Sequence, residues 1–259
     1  MASLRTDGLM NYRYTRSSIS FGGPITPRVK MIIIACIIVF LMQVISGGLR
    51  GPVTSLFSLR PVQVVDSFFI WQLFTYIFLH ADVFHLLINM LILFMFGCEL
   101  ERYWGNRQFW RYFVVAGVGA GFCVMVVNLF SPQGSTLGAS GAIYGLLLAY
   151  GLSFPNRIIF VMLLFPVPAK YAVLIFGGIA FLSSISGSST RISHSAHLGG
   201  MLVGYLYLKL LPYRIGSGQS WLQLIQDAYS EYKLRRAKRK FSVYLSKKAE
   251  GRDKNKTIH

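Results

Sequence analysis

Residues 138–154 read GASGAIYGLLLAYGLSF, an apolar run that opens on Gly138-Ala139-Ser140-Gly141 and holds no charged side chain. A helix needs roughly 20 such residues to cross a hydrocarbon core about 30 Å thick, and the rest of the chain repeats the pattern. Further apolar runs fall at about 31–47, 83–98, 109–130, 169–185 and 194–212, separated by loops rich in Gly, Pro, Ser or charge. Of 259 residues, 54% are hydrophobic and 14% charged, whereas soluble domains carry roughly 25% charged residues; mean hydropathy is +0.51. A soluble globular domain is excluded. The expectation is an all-α membrane protein, a bundle of six transmembrane helices. The fifth, at 169–185, has the least definite start, because Ile158–Phe165 is apolar too and Pro166, Pro168 and Lys170 interrupt the stretch, which leaves open an earlier start or a kink.

Charge gives the organisation. Lys+Arg 26 against Asp+Glu 9 makes the net charge +17, and the basic residues gather at the ends. Segment 1–30 carries Arg5, Arg13, Arg16, Arg28 and Lys30; tail 213–259 carries Arg235, Arg236, Lys238, Arg239 and Lys240, with a short helix expected from about Trp221 to Leu245. Between them, 31–212 forms the membrane domain. Clusters of this kind next to membrane spans read as topology and as contacts to anionic lipid headgroups, rather than as a nucleic-acid surface. Both termini are therefore expected in the cytoplasm, and the compact chain without added domains suggests a prokaryotic plasma membrane. No small-residue cleavage site follows 31–47, so it is expected to be retained as a first helix. Segment 48–82 is too long for a turn, and its Phe68, Phe69, Trp71, Phe74, Tyr76 and Phe78 suggest a long interfacial first loop partly embedded in the bilayer. Cys36, Cys98 and Cys123 lie in apolar stretches without CxxC spacing, which implies no disulfide framework.

With six crossings, the second, fourth and sixth helices all begin at the outer face, and each begins with polar groups. The second opens with His85 and Asn89, stacked at i,i+4; the fourth with Ser140 and, one turn on, Tyr144; the sixth with His194, Ser195 and His197. Imidazoles and amides are costly in a bilayer and turn towards partners or a water-filled cavity. Read as chemistry, Ser140 is a nucleophile and His197 its general base. The first helical turn supplies unpaired backbone N–H groups and the positive dipole end for an oxyanion, to which His85 and Asn89 add donors. Gly141 with Gly145, and Gly200 with Gly204, are two GxxxG pairs that let the helices approach; Gly138 precedes the serine, and Tyr144 is placed to hold the imidazole ring. No acid accompanies His197 on its helix, so the expectation is a Ser-His dyad with Asp82 as the third member to test. Ala142 stands where GxSxG needs its last glycine, which excludes the α/β-hydrolase elbow.

Each piece also has a plain structural reading. Serine in a Gly-rich membrane helix is often packing, and His85 with Asn89 can be an interhelical pair. His80, His85, His194 and His197 permit a metal reading through the i,i+3 pair His194 and His197, yet no carboxylate or thiol stands beside them. No metal and no cofactor are expected.

In this order and spacing, Trp71–His80 (WQLFTYIFLH), His85–Asn89 (HLLIN), Glu99–Gly105 (ELERYWG), Gly138–Gly145 (GASGAIYG) and Ala196–Gly204 (AHLGGMLVG) resemble the rhomboid family of intramembrane serine proteases. The resemblance covers about 31–212. It implies a six-helix rhomboid-like core, Ser140 as nucleophile, His197 as base, and an oxyanion hole of His85, Asn89 and the Ser140 backbone N–H. It further implies a substrate gate at the fifth helix and transmembrane proteins as substrates. Gln72 stands where some members have Arg, and the basic tail lies outside the shared core. The alternative to an endopeptidase is a non-catalytic rhomboid-like scaffold that binds membrane proteins or takes part in their quality control.

Overall fold

A computed structural model of the protein describes residues 23–130, 134–161, 164–185, 194–210, 233 and 236. The chain divides into two compact units, Met1–Tyr213 and Arg214–His259. The elements named here belong to the first. The N-terminal arginines Arg5, Arg13 and Arg16 and the tail helix expected from Trp221 to Leu245 lie outside the described residues, apart from positions 233 and 236.

Helix α1, Pro27–Ile45, starts on a proline, whose fixed φ and missing N–H suit the first helical position. Three short helices follow in the first loop: α2, Pro52–Phe57; α3, Pro61–Asp66; and α4, Gln72–Thr75. They turn Val62, Val65, Phe68, Ile70 and Trp71 outward, as expected of a loop that meets lipid rather than water. Helix α5, Val83–Ile92, runs through a π-type turn at Leu93–Gly97 into α6, Cys98–Trp104. Gly105, at φ 80°, turns the chain into α7, Asn106–Asn128, using the positive φ that glycine adopts without a Cβ penalty. Helices α8, Ser140–Ser153, α9, Ala169–Ile185, and α10, His194–Leu210, complete the bundle.

Three of these, α1, the continuous α5–α6 and α7, are long and apolar enough to cross a membrane; α8 and α9 are shorter apolar helices. The starts of α8, α9 and α10 fall within about two residues of the runs read from the sequence. One departure corrects the all-α expectation: between α8 and α9 the chain forms an antiparallel hairpin, β1, Ile158–Val161, with β2, Phe165–Pro168. The fifth helix therefore starts at Ala169 and not earlier. Pro166 and Pro168 cannot donate inside a helix, and α9 begins at the residue after the second of them.

A buried carboxylate secures the start of the bundle. Glu101 on α6 is 1% exposed and accepts the Thr26 hydroxyl at 2.5 Å and the backbone N–H groups of Arg28 and Val29, each at 2.9 Å. It thus caps α1 from a distant helix, and places a negative charge at the positive end of that helix dipole. At the same end of α6, Glu99 accepts the Tyr150 hydroxyl at 2.7 Å and pairs with Arg157, but that pair is solvent-facing. Since hydrogen bonds to buried charges contribute about 1.5–3 kcal/mol each and exposed pairs about 0–1, Glu101→Ala is expected to lower the thermal midpoint of the detergent-solubilised protein by several degrees. Arg157→Ala should move it little; equal shifts in the two would refute this ranking.

Candidate functional site

The starts of α8 and α10 meet. Ser140 is the first residue of α8 and His197 the fourth of α10, and Ser140 Oγ lies 2.9 Å from His197 Nε2. Tyr144, one turn along α8, stacks flat on the imidazole, with ring centroids 4.1 Å apart and planes 7° apart. The His197 ring is thereby fixed on one face by the aromatic ring and at Nε2 by the hydroxyl. Its Nδ1 is buried and has no hydrogen-bond partner among the described residues.

Backbone approach makes this meeting geometrically feasible. A Cβ on Gly200 would collide with the carbonyl oxygen of Gly141, and one on Gly145 would lie 2.9 Å from the carbonyl oxygen of Gly200. Both pairs anticipated from the sequence sit in the α8–α10 contact, and Gly204 packs under the Tyr112 hydroxyl. That hydroxyl donates to Gly145 O at 2.7 Å, as Tyr76 does to Gly117 O at 2.7 Å, so buried tyrosines anchor two of the glycine-lined backbones.

The first loop sets the approach to Ser140. Leu59 and Thr136 exchange two backbone hydrogen bonds of 2.9 Å, and Gly138 N–H donates to Tyr76 O at 2.9 Å. Gly138, at φ 123°, lies against the His85 ring: a Cβ there would fall 2.8 Å from His85 Cε1 and 3.1 Å from Nε2. The third helix start therefore joins the other two, with His85 packed two residues ahead of Ser140. The tautomer of His85 follows from its neighbour. Ala81 N–H donates to its Nδ1 at 3.3 Å, which leaves Nε2, the nitrogen nearer Gly138, as the N–H of the neutral ring. Asn89 is 3% exposed, and its amide donates to the His85 carbonyl at 3.0 Å, leaving its second amide hydrogen for another acceptor.

Asp82 is the N-cap of α5. Its carboxylate accepts His85 N–H at 2.8 Å, so it serves the helix that carries His85 rather than the His197 ring. The Asp-Val-Phe-His start was a readable capping signal. Two contributors carried no such signal. Gln43, buried in α1, accepts His80 N–H at 3.0 Å and donates to Thr54 at 3.0 Å. His80 packs edge-on against His85, with centroids 5.2 Å apart. His194 stands 6.0 Å from His197, ring to ring. Among the described residues, no three His, Cys, Asp or Glu side chains gather as metal ligands would.

Sequence comparison places this geometry in context. The rhomboid domain matches residues 68–214, more than half of the chain. The protein belongs to the rhomboid family. It is 36% identical over 55% of its length to RHOMBOID-like protein 1 of Arabidopsis thaliana. It is 29% identical over 74% of its length to the Bacillus subtilis rhomboid protease GluP, and 32% over 50% to the mitochondrial Rhomboid protein 1 of Saccharomyces cerevisiae. The matched part amounts to 35%, 36% and 38% of those relatives, so the chain spans little more than a third of their length. Integral membrane character follows from the family and the apolar helices. The relatives come from a plant, a bacterium and a yeast mitochondrion, and do not single out a prokaryotic plasma membrane.

In this rhomboid, Gln72 has a specific place. It is wholly buried; its amide donates to Leu56 O at 3.2 Å and Gln63 Oε1 at 2.8 Å and accepts Arg60 N–H at 3.0 Å. A neutral amide satisfies three partners inside the first loop where a cation would be left buried without a counter-charge. The α8–α10 contact gives the sharper test. Gly200→Ala should sharply reduce the yield of folded protein, because its Cβ meets backbone. Gly178→Ala, where nothing lies within 4 Å of the new Cβ, should be neutral or slightly stabilising; a well-folded Gly200→Ala protein would show that the helices can separate without cost.

Proposed function

We propose that this rhomboid is an intramembrane serine endopeptidase, a six-crossing bundle that cleaves peptide bonds in or near the transmembrane segments of other membrane proteins. The observation that carries the reading is the 2.9 Å approach of Ser140 Oγ to His197 Nε2 at the start of a helix. Ser140 is the nucleophile and His197 the base that takes its proton. The tetrahedral oxyanion is stabilised by the Ser140 backbone N–H, one of the helix N–H groups without an intrahelical acceptor, by His85 Nε2–H and by the second amide hydrogen of Asn89. Collapse expels the amine, protonated by His197, and leaves an acyl-enzyme; His197 then activates water for its hydrolysis.

The length of α8 supports a site below the surface. Its 14 residues rise about 21 Å against a core of roughly 30 Å. With its far end at one face, Ser140 lies about 9 Å inside the other. A substrate helix hides its carbonyls in its own hydrogen bonds, so the scissile segment must unwind locally, and helix-destabilising residues lower that cost. The binding-scaffold reading has no use for a hydroxyl held on a ring-stacked imidazole.

Purified protein should react covalently with a fluorophosphonate. Ser140→Ala and His197→Ala should both lose labelling and lose cleavage of a transmembrane substrate by about a thousandfold or more. Folded wild type that stays unlabelled would reverse the reading in favour of the scaffold. His85→Ala should retain the fold and lower kcat by about a hundredfold or more, whereas Asp82→Asn, which keeps an N-cap acceptor, should remain close to wild type; an Asp82→Asn loss as deep as that of His197→Ala would make Asp82 a member of the catalytic set.

A further inference from the structure

Residues 158–168, IIFVMLLFPVP, contain no polar side chain in eleven positions, and the described ones lie in two short strands between α8 and α9 rather than in a helix. The strands pair Ile158 with Pro168, Ile159 with Val167, Phe160 with Pro166 and Val161 with Phe165, and among the described residues the sheet has these two strands alone. Ile159 is buried in the helical core, with Val167 packed against it. Ile158, Leu164 and Phe165 are exposed by 51%, 73% and 59%. An apolar two-stranded hairpin is marginal in water.

The edge chemistry suits a place with little water. Ala169 N–H donates to Arg157 O at 2.8 Å. Alternation along an antiparallel ladder then puts the next exchanged pairs at Ile159 with Val167 and Val161 with Phe165. The intervening positions of β2, whose N–H groups would point away from β1, are Pro166 and Pro168, which have no N–H. β2 thus presents no outward donor at either position, which removes two of the backbone polar groups that the bilayer penalises when unmet. Arg157 and Lys170, both exposed, bracket the hairpin at its base, at the far end of α8 from Ser140.

We infer that the β1–β2 hairpin is a lipid-contacting foot, its Ile158, Leu164 and Phe165 side chains seated among the acyl chains of the leaflet opposite the one nearest Ser140, with Arg157 and Lys170 at headgroup level. Such seating is continuous with the exposed Leu152 at the end of α8 and with the exposed apolar side of α9, Leu174 and Ile175 among it, and removes apolar side chains from water. It fixes the first turn of α9, which is already held by Lys170 N–H on Pro155 O at 3.2 Å and by Val173 packed on Gly151. The inference rests on α8 crossing the bilayer and is independent of whether the protein is a protease.

The test uses the full chain in phosphatidylcholine vesicles, with Leu164→Cys labelled by an environment-sensitive nitrobenzoxadiazole and Asn156→Cys, exposed at the base, as the comparison. Native Cys36 and Cys98 are buried and Cys123 half-buried, and wild type treated identically gives the background. Fluorescence from position 164 should be blue-shifted, quenched by phosphatidylcholine with brominated acyl chains, and unaffected by aqueous iodide, with the reverse at position 156. Iodide quenching at 164 would place the hairpin in water, and resistance to both quenchers would place it under a second copy or another protein; either overturns the inference. Fluorophosphonate labelling of the same samples reports on the serine separately.

Discussion

Everything at the site depends on two backbones coming closer than side chains allow. Where Gly141 faces Gly200, a single added Cβ would meet a carbonyl oxygen, and Ser140 and His197 are the polar residues standing one and three positions before those glycines. In a bilayer no hydrophobic force draws helices together, because lipid tails are as apolar as leucine; close van der Waals packing and interhelical hydrogen bonds must do so. Small residues at the seam therefore set the helix separation and, through it, the 2.9 Å between hydroxyl and imidazole.

Several of the remaining buried polar side chains fix a piece of backbone. Glu101 holds the start of α1, Gln43 ties α1 to the first loop and to His80, Gln72 joins α2, α3 and α4, and the Tyr76 and Tyr112 hydroxyls sit on glycine carbonyls. The bonds of Gln43, Gln72 and Tyr76 lie between α1, the first loop and the segment at Gly138. The loop is in this sense the frame of the site: its Leu59 and Tyr76 carbonyls hold the strand-like segment that delivers Ser140 to the head of α8.

How much of this was legible follows from the physics of each signal. Helix starts at Ser140, Ala169 and His194 were readable because polar or proline residues interrupt long apolar runs there. The Ser140, His197 and Tyr144 grouping was readable because polar side chains at three helix starts have few places to go. The hairpin was not: eleven apolar residues give neither a period of 3.6 nor one of 2, so periodicity is silent, and only the two prolines, two residues apart, argued against a helix. Gln43 and Glu101 were equally silent as site-builders, since nothing local tells a buried glutamine or glutamate which distant N–H it will meet. Asp82 shows the opposite case: a capping aspartate and a third acid look alike in sequence, and the 2.8 Å bond from His85 N–H marks the capping role.

That placement bears on the proposed dyad, which has no acid behind the histidine. An aspartate behind the histidine in a triad fixes the tautomer and the ring orientation and stabilises the imidazolium. In the dyad proposed above, the orienting task falls to Tyr144, whose parallel ring lies 4.1 Å from the imidazole, and to the seam that sets its distance from Ser140. The π face of the tyrosine also favours a positive ring over it, though by less than a buried carboxylate would. Burying a carboxylate next to Nδ1 would instead have demanded its own set of donors, of the kind Glu101 obtains from Thr26, Arg28 and Val29. A histidine held by an aromatic ring keeps the proposed base within reach of the hydroxyl without adding a buried carboxylate that would need such donors.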